Sequence, residues 1–478
     1  MKAVLITALL TLLLAPAAHA GRSQESLFQD DRLLLNSGSE TREQALEELD
    51  ALGVDVVRAL LVWSQVAPSP RSTSRPDFDA TDPAAYPAGA WQRWDELVRE
   101  AAERGIEVLL NPTGPSPAWA SDCGGSVSHR RLCRPDPAEF GQFVTAAGRR
   151  YPGVRRWSVW NEPNHGAWLR PQYSRRGRSM VPESPRRYRR LVEATVTGLD
   201  TAGHGGDQVL LGETAPIGQS GGSWSTRNIG PAAFYRELFC LDSRGRALRG
   251  RSARLRGCGG YRRLEVAGAA HHPYTRAAGA DPRGRVASTD ITIGTLGRLT
   301  TWLNRGAARG RVPRGLPIYL TEFGFQTNPP DRLAGVSLAR QARWLNESDW
   351  IAYRNSRVRS VAQYELRDEP RVSSFNTGLR FEDGRPKPAL DAYRMPIWVT
   401  AGRRSTRIWG QIRAAAEGVS QEVAVQYRTA RGRTWRTLRT VTVTGPRDFI
   451  DLTTRNRARY WRLSWSGFTS RRASRNDR

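Results

Sequence analysis

Short apolar runs alternate with amphipathic, capped stretches from about residue 33 to residue 394. Leu33, Leu34 and Leu35 read as a first strand. Thr41 and Gln44 have the spacing of a capping box for a helix whose inner face is Ala45, Leu46, Leu49 and Leu52, with Gly53 suited to a left-handed end. Val54 to Trp63 is nearly continuous in apolar residues apart from Asp55 and Arg58, and predicts a buried strand. The cycle then repeats. Trp91, Trp94, Leu97, Val98 and Ala101 mark a helix stopped at Gly105, followed by a strand from Ile106 to Leu110. Asp136, Pro137 and Glu139 suit N-cap, N1 and N3 of a helix lined by Phe140, Phe143, Val144 and Ala147. Val154 to Trp160, Gln208 to Leu211, Leu264 to Ala269, Pro317 to Thr321 and Val358 to Tyr364 are further strands. Helical periodicity at Ile291 to Leu303 and Ser337 to Tyr353 separates the later ones. Eight strands alternating with helices predict an α/β chain folded as a (β/α)8 TIM barrel. A doubly wound sheet is the alternative, but no Gly-x-Gly-x-x-Gly turn follows the first strand.

Past Met395-Pro396 the period changes to two. Val423, Val425 and Tyr427 alternate with polar residues, as do Val441 and Val443, and Trp461, Leu463 and Trp465. Turn signals at Ala430-Arg431-Gly432 and Thr444-Gly445-Pro446 part these runs. A small antiparallel β-sandwich of fibronectin or immunoglobulin type is expected over 396–470. Residues 471–478 read as a disordered basic tail.

The first 20 residues read as a secretory signal: Lys2, an apolar core from Ala3 to Leu14, and Ala18-His19-Ala20 for cleavage. The barrel domain is then 21–395. No later stretch is apolar enough to span a bilayer. An exported chain can keep disulfides. Cys123 and Cys133 bracket one polar loop and Cys240 and Cys258 another, so the two local pairings are favoured among three. A zinc site is the competing reading, although close Cys-x-x-Cys pairs are absent.

The net charge is +27. Only Lys2 and Lys387 are lysines, and the arginines run evenly through the chain instead of forming one aromatic-interleaved strip. Nucleic-acid binding is therefore not expected. Residues 396–478 are the exception, with 18 Arg against five Asp and Glu. Attraction to an anionic wall polymer or to uronic-acid sugars is one reading of that excess, and a bland solvated surface is the other.

In a barrel the C-terminal ends of the strands meet at one mouth. Trp157-Ser158-Val159-Trp160-Asn161-Glu162-Pro163 ends the fourth strand, and Ile318-Tyr319-Leu320-Thr321-Glu322-Phe323-Gly324 ends the seventh. Each places a carboxylate where an apolar strand stops. Hydrolysis of a glycosidic bond with retention uses two carboxyl groups roughly 5 to 5.5 Å apart, one attacking the anomeric carbon and one exchanging the proton.

With these motifs the chain resembles glycoside hydrolase clan A, notably families five and thirty-nine, over about Leu33 to Tyr393. The resemblance implies Glu162, in Asn161-Glu162-Pro163, as acid/base and Glu322 as nucleophile. It implies Arg58 as the cation that keeps Glu322 ionised, and a His-x-Tyr at His272-Pro273-Tyr274 whose Tyr274 bonds the nucleophile. The doublet His271-His272 leaves open which imidazole faces the site. Asn161 is suited to bond the sugar 2-hydroxyl. Trp160 and the charge of Glu322 are expected to raise the Glu162 pKa. Tyr364 stands where the clan has a tryptophan floor. Trp63, Trp119 and Trp168 are candidates for stacking on sugars or for core packing. Glu213 and Glu365, at the ends of the fifth and eighth strands, lack flanking motifs and are assigned to supporting positions. The expectation is a secreted, monomeric retaining glycosidase of β-linked poly- or oligosaccharides that needs neither cofactor nor metal. The alternatives are a non-hydrolytic carbohydrate- or wall-binding protein on the same scaffold, and a wall-attached adhesion protein in which the sandwich acts and the barrel is a spacer.

Overall fold

The computed structural model describes residues 24–275, 280–371 and 375–475. The expected signal segment, residues 1–20, lies outside them. Eight parallel strands close a barrel: β1 (Glu25–Gln29), β2 (Val56–Val62), β3 (Glu107–Thr113), β4 (Arg156–Ser158), β5 (Gln208–Thr214), β6 (Gly268–His271), β7 (Ile318–Leu320) and β8 (Val358–Tyr364). Each is followed by a main helix: α1 (Ser39–Ala51), α2 (Gln92–Glu103), α3 (Pro137–Arg150), α4 (Ser184–Thr201), α5 (Pro231–Leu238), α6 (Gly297–Ala307), α7 (Leu338–Tyr353) and α8 (Pro388–Arg394). Helix α3 is capped as its sequence demands, with the Asp136 carboxylate accepting from Ala138 and Glu139 N–H.

Two expectations in the first βα unit fail. The first strand is Glu25–Gln29, which pairs with β8 and β2. Leu33, Leu34 and Leu35 instead form a short helix, Asp31–Leu35, with all three buried. A run of leucines signals burial without choosing a period, and here Asp30 caps the turn by accepting from Leu33 N–H at 3.0 Å. Helix α1 starts at Gly38 with no side-chain cap, so Thr41 lies inside it and makes no capping box.

The C-terminal part is a sandwich. A three-stranded sheet of β9 (Ile397–Ala401), β10 (Thr406–Gln411) and β13 (Phe449–Thr454) faces a sheet built from β11 (Gln421–Arg428), β12 (Arg436–Val443), β14 (Tyr460–Trp465), β15 (Phe468–Thr469) and β16 (Ala473–Ser474). Ile397, Val399, Ile408 and Ile450 turn inward to meet Val423, Val425, Trp461 and Leu463. The expected disordered tail is ordered as far as Arg475. Ala473–Ser474 pairs with β14, and the Arg475 guanidinium donates to the Gly402 and Ser405 carbonyls. Residues 476–478 lie outside the described residues.

The alternate face of the three-stranded sheet packs on the barrel. Trp398, Trp409 and Phe449 meet Trp350 and Tyr353 of α7. Arg413 donates to Asp349 at 2.9 Å, and Arg447 pairs with Asp55 at 2.8 Å. Cys123 is bonded to Cys133 and Cys240 to Cys258, so the four sulfurs are not free to hold zinc. No helix among the described residues is long and apolar enough to cross a membrane.

Gly53 ends α1 with φ +71°, and an added Cβ would lie 1.7 Å from the Arg413 carbonyl oxygen in the sandwich. Gly105, at the same φ of +71° after α2, has nothing within 4 Å of that position. Gly105→Ala should cost only the left-handed strain, about 1 kcal/mol, whereas Gly53→Ala must also force the two domains apart and cost at least ~2 kcal/mol more. Equal unfolding midpoints for the two variants in thermal denaturation would contradict this docking.

Candidate active site

Where β4, β5 and β8 end, non-glycine residues hold positive φ: Trp160 (58°), Glu162 (40°), Glu213 (46°) and Glu365 (74°). Such backbone is costly and persists where neighbours over-determine it. After β4 they do. Trp160 N–H donates to the Pro112 carbonyl at 3.0 Å, Asn161 N–H to Thr113 Oγ1 at 2.8 Å, and Glu162 N–H to the Glu213 carbonyl at 3.0 Å. The β4 turn is thus clamped between β3 and β5, and Glu162 is turned into the mouth.

Arg58 on β2 is fully buried and organises the charges. Its Nη1 donates to Glu322 Oε1 at 2.8 Å and also to Gln29 Oε1, its Nε to Glu213 Oε1 at 3.2 Å, and its Nη2 to Asn161 Oδ1 at 2.7 Å. His272 bridges three carboxyls: Nε2 to Glu213 Oε2 at 2.7 Å, Nδ1 to Glu162 Oε1 at 3.2 Å, and Nδ1 at 3.5 Å from Glu322 Oε2. Tyr274 hydroxyl donates to Glu322 Oε2 at 3.3 Å, and Thr321 hydroxyl to Glu213 Oε2 at 2.6 Å. One oxygen of Glu162, one of Glu322 and a nitrogen of His272 lie within 4.8 Å of one another. The side chains of Glu162 and Glu322 are 17% and 12% exposed, while that of Glu213 is 0% exposed. Two carboxylates are therefore open to the mouth and the third is not.

The doublet resolves in favour of His272. His271 is turned away, with Nδ1 accepting from the Thr214 hydroxyl at 2.8 Å and Nε2 donating to the Ile291 carbonyl at 2.9 Å. Burial pushes its pKa down to about 4 and keeps it neutral. Burial also disfavours the His272 cation, but Glu322, Glu162 and Glu213 outweigh it and lift its pKa to about 9. Burial raises Glu213, yet Arg58 and His272 bring it down to about 2.

The expected rise at Glu162 is reversed. Burial raises it, but the hydrogen bond and charge of His272 hold it below its ordinary value. Glu322 is raised by burial and by the charges of Glu162 and Glu213, against the pull of His272 and Arg58. The His272 cation, hydrogen-bonded to Glu162 at 3.2 Å, is the neighbour that the primary order conceals. Glu162, His272 and Glu322 are also close enough to surround a cation. The surrounding carboxylates favour a proton on His272, and that proton would compete with a metal for the ring nitrogen.

Trp160 is not a wall of the mouth. It is fully buried, edge-on to Phe140 at 5.4 Å, with Nε1 donating to the Trp168 carbonyl. Trp63 and Trp119 also belong to the core, 6.0 Å apart in a cluster with Phe140 and Phe143. Trp168 is half-buried. Tyr364 ends β8 half-buried and edge-on to the exposed Phe375 at 5.1 Å, at the mouth. Glu213, placed by the sequence only in a supporting position, proves to be the anion that balances both buried cations. Gln29 and Thr321, which complete the network, carry no sequence signal beyond lying at strand ends.

No protein-family model matches the chain, and no curated protein does. Among solved structures it is similar to a family 39 glycoside hydrolase from the gut symbiont Bacteroides cellulosilyticus WH2, with 12% identity and a TM-score of 0.52 over 93% of this chain and 81% of that one. It is also similar to a glucosidase from Croceicoccus marinus, with 11% identity and a TM-score of 0.50 over 92% of this chain and 94% of that one. At these identities the likeness is one of fold.

The charge on His272 stabilises the folded state below its unfolded pKa of roughly 6.5. That contribution is lost as pH climbs through the folded value of about 9. The unfolding midpoint of the protein should fall across that window, and the midpoint of His272→Gln should change less. Parallel pH dependences in calorimetry would contradict the assignment.

Proposed function

We propose that the protein is a secreted glycoside hydrolase that cleaves β-linked poly- or oligosaccharides with retention, through a covalent glycosyl-enzyme. The observation that carries this reading is the approach of the two mouth carboxylates, with oxygens within 4.8 Å. That closeness suits the retaining class, whose carboxyl groups stand roughly 5 to 5.5 Å apart, better than the inverting class at about 6.5–9.5 Å.

Glu322 is the nucleophile. Arg58 and Tyr274 each donate to one of its oxygens and favour the anion that attacks the anomeric carbon. Glu162 is the acid/base, and the proton it needs lies on its hydrogen bond with His272 Nδ1. Transfer of that proton to Glu162 yields a neutral imidazole and a carboxylic acid with no change in the charge of the site. Glu162 then protonates the leaving oxygen as the Glu322–C1 bond forms, and in the second step takes a proton from water as that bond breaks. Asn161, fixed through its Oδ1 on Arg58, keeps its amide N–H groups free for the sugar 2-hydroxyl. Tyr364 lines the subsite that holds the reacting sugar. Two disulfides fit an oxidising compartment, in keeping with the N-terminal signal.

Glu322→Gln should lose turnover of nitrophenyl and alkyl glycosides alike, by at least about 100-fold. Glu162→Gln should lose far more on alkyl glycosides, whose leaving oxygen needs the proton, than on nitrophenyl ones. The first sugar released, followed by NMR, should keep the anomeric configuration of the substrate. An inverted first product, or variants as active as the parent, would refute the mechanism. Binding of oligosaccharide without turnover by the parent would favour the non-hydrolytic reading.

A further inference from the structure

The sandwich meets the barrel through its three-stranded sheet, so the outer face of the other sheet is turned away from it. On that face Gln426 and Arg428 of β11 stand opposite Arg462 and Tyr460 of β14. Trp435 precedes β12 on the neighbouring strand. Four arginines gather on these two aromatic rings. The guanidinium carbons of Arg428 and Arg462 lie 5.2 and 4.5 Å from the Trp435 centroid, and those of Arg428, Arg459 and Arg472 lie 5.2, 5.7 and 4.7 Å from that of Tyr460.

Among the described residues no carboxylate pairs with this cluster. Arg407, Arg413 and Arg447 of the same domain are each paired with an acid, on or beside the barrel. Arg428, Arg459, Arg462 and Arg472 form no ion pair among the described residues. The acid on the same face of β11, Glu422, stands six residues from Arg428, roughly 20 Å along the strand. Among the described residues one side-chain N–H group of the four is engaged with another side chain, Arg462 Nε donating to Gln426 Oε1 at 2.8 Å. The Nε of Arg428 is buried without a partner. Burial and the charge of Arg428 both disfavour the Arg462 cation. Four like charges are thus held close together, and an anion placed against them would relieve their repulsion. The rings hold the guanidinium groups in place while Arg459 and Arg472 remain exposed, and guanidinium groups so held suit the capture of oxyanions.

We propose that the outer face of this sheet is a docking surface for an acidic polysaccharide, with Arg428, Arg459, Arg462 and Arg472 on its carboxylates and Trp435 and Tyr460 holding the arginines in place. The choice of a glycan over a nucleic acid rests on the glycosidase reading of the barrel. The surface would keep the mouth near a polymer that carries both acidic and cleavable sugars.

Affinity electrophoresis of the full chain through gels containing polygalacturonate, neutral dextran or no polymer tests this, with a single-stranded DNA oligonucleotide as competitor. Polygalacturonate should retard the protein, less so as salt is raised, and dextran should not. Arg428→Gln/Arg462→Gln should weaken retardation at least about tenfold, and Trp435→Ala should weaken it with the arginines intact. Thermal midpoint and nitrophenyl-glycoside turnover should remain those of the parent in both variants. Failure of the parent to be retarded, undiminished retardation of the double variant, or tighter binding to DNA than to polygalacturonate would overturn the proposal. Retardation without turnover in the parent would instead count against the glycosidase reading and leave the surface standing.

Discussion

A guanidinium can be buried at the centre of a protein only if its N–H groups find acceptors and its charge finds a counterion. Arg58 meets that condition through Glu213, Glu322, Asn161 and Gln29, which come from four other strands or strand ends. Because each acceptor is itself tied to another member, the position of one strand end constrains the next. Glu213 accepts from Arg58, His272 and Thr321 at once and has no surface left for a ligand. Its charge holds the two cations that in turn place and polarise the exposed pair, Glu162 and Glu322. The catalytic chemistry proposed for this mouth depends on that hidden third carboxylate.

The same residue type performs three different tasks in this chain. Arg58 is an internal hub. Arg413 and Arg447 are anchors, reaching from the sandwich to Asp349 and Asp55 across the domain boundary. Arg428 and Arg462 lie on aromatic rings at the far surface, with no acid paired to them among the described residues. What separates these tasks is the neighbourhood each side chain meets, since the guanidinium is charged in all of them. A total charge, or even a charge per domain, does not distinguish them. The excess in the last 83 residues marks the sandwich as basic. Which arginines remain uncompensated is settled by the pairing of strands and by which sheet face turns to the barrel.

Much of the architecture is legible along the chain because strand burial and helix capping are local properties. Val358–Tyr364 is a strand at the bounds its apolar run suggests. Asp136 and Ser337 cap α3 and α7 where the pattern places them. Gly53 and Gly105 both take left-handed backbone. The misreadings also have local causes. The Leu33–Leu35 run is apolar without periodicity, and the polar ends of Glu25–Gln29 hide a strand whose middle is buried by two neighbours. The tail looks unfit to fold because its ordering comes from bonds to residues some 70 positions earlier, such as Arg475 with Gly402 and Ser405.

By itself, then, the sequence determined the alternation that closes a barrel, the period change that adds a sandwich, and the two carboxylates standing where apolar strands stop. These follow from side-chain type and spacing within a few residues. Tertiary structure alone decided that His272, not His271, enters the mouth, that Glu213 joins the charge network, that Trp160 packs inward, and that Glu162 is lowered while Glu322 is raised. Electrostatic coupling depends on distance in space and on exclusion of water. Neither quantity exists until residues 58, 162, 213, 272 and 322 are carried to one point by the closure of the sheet.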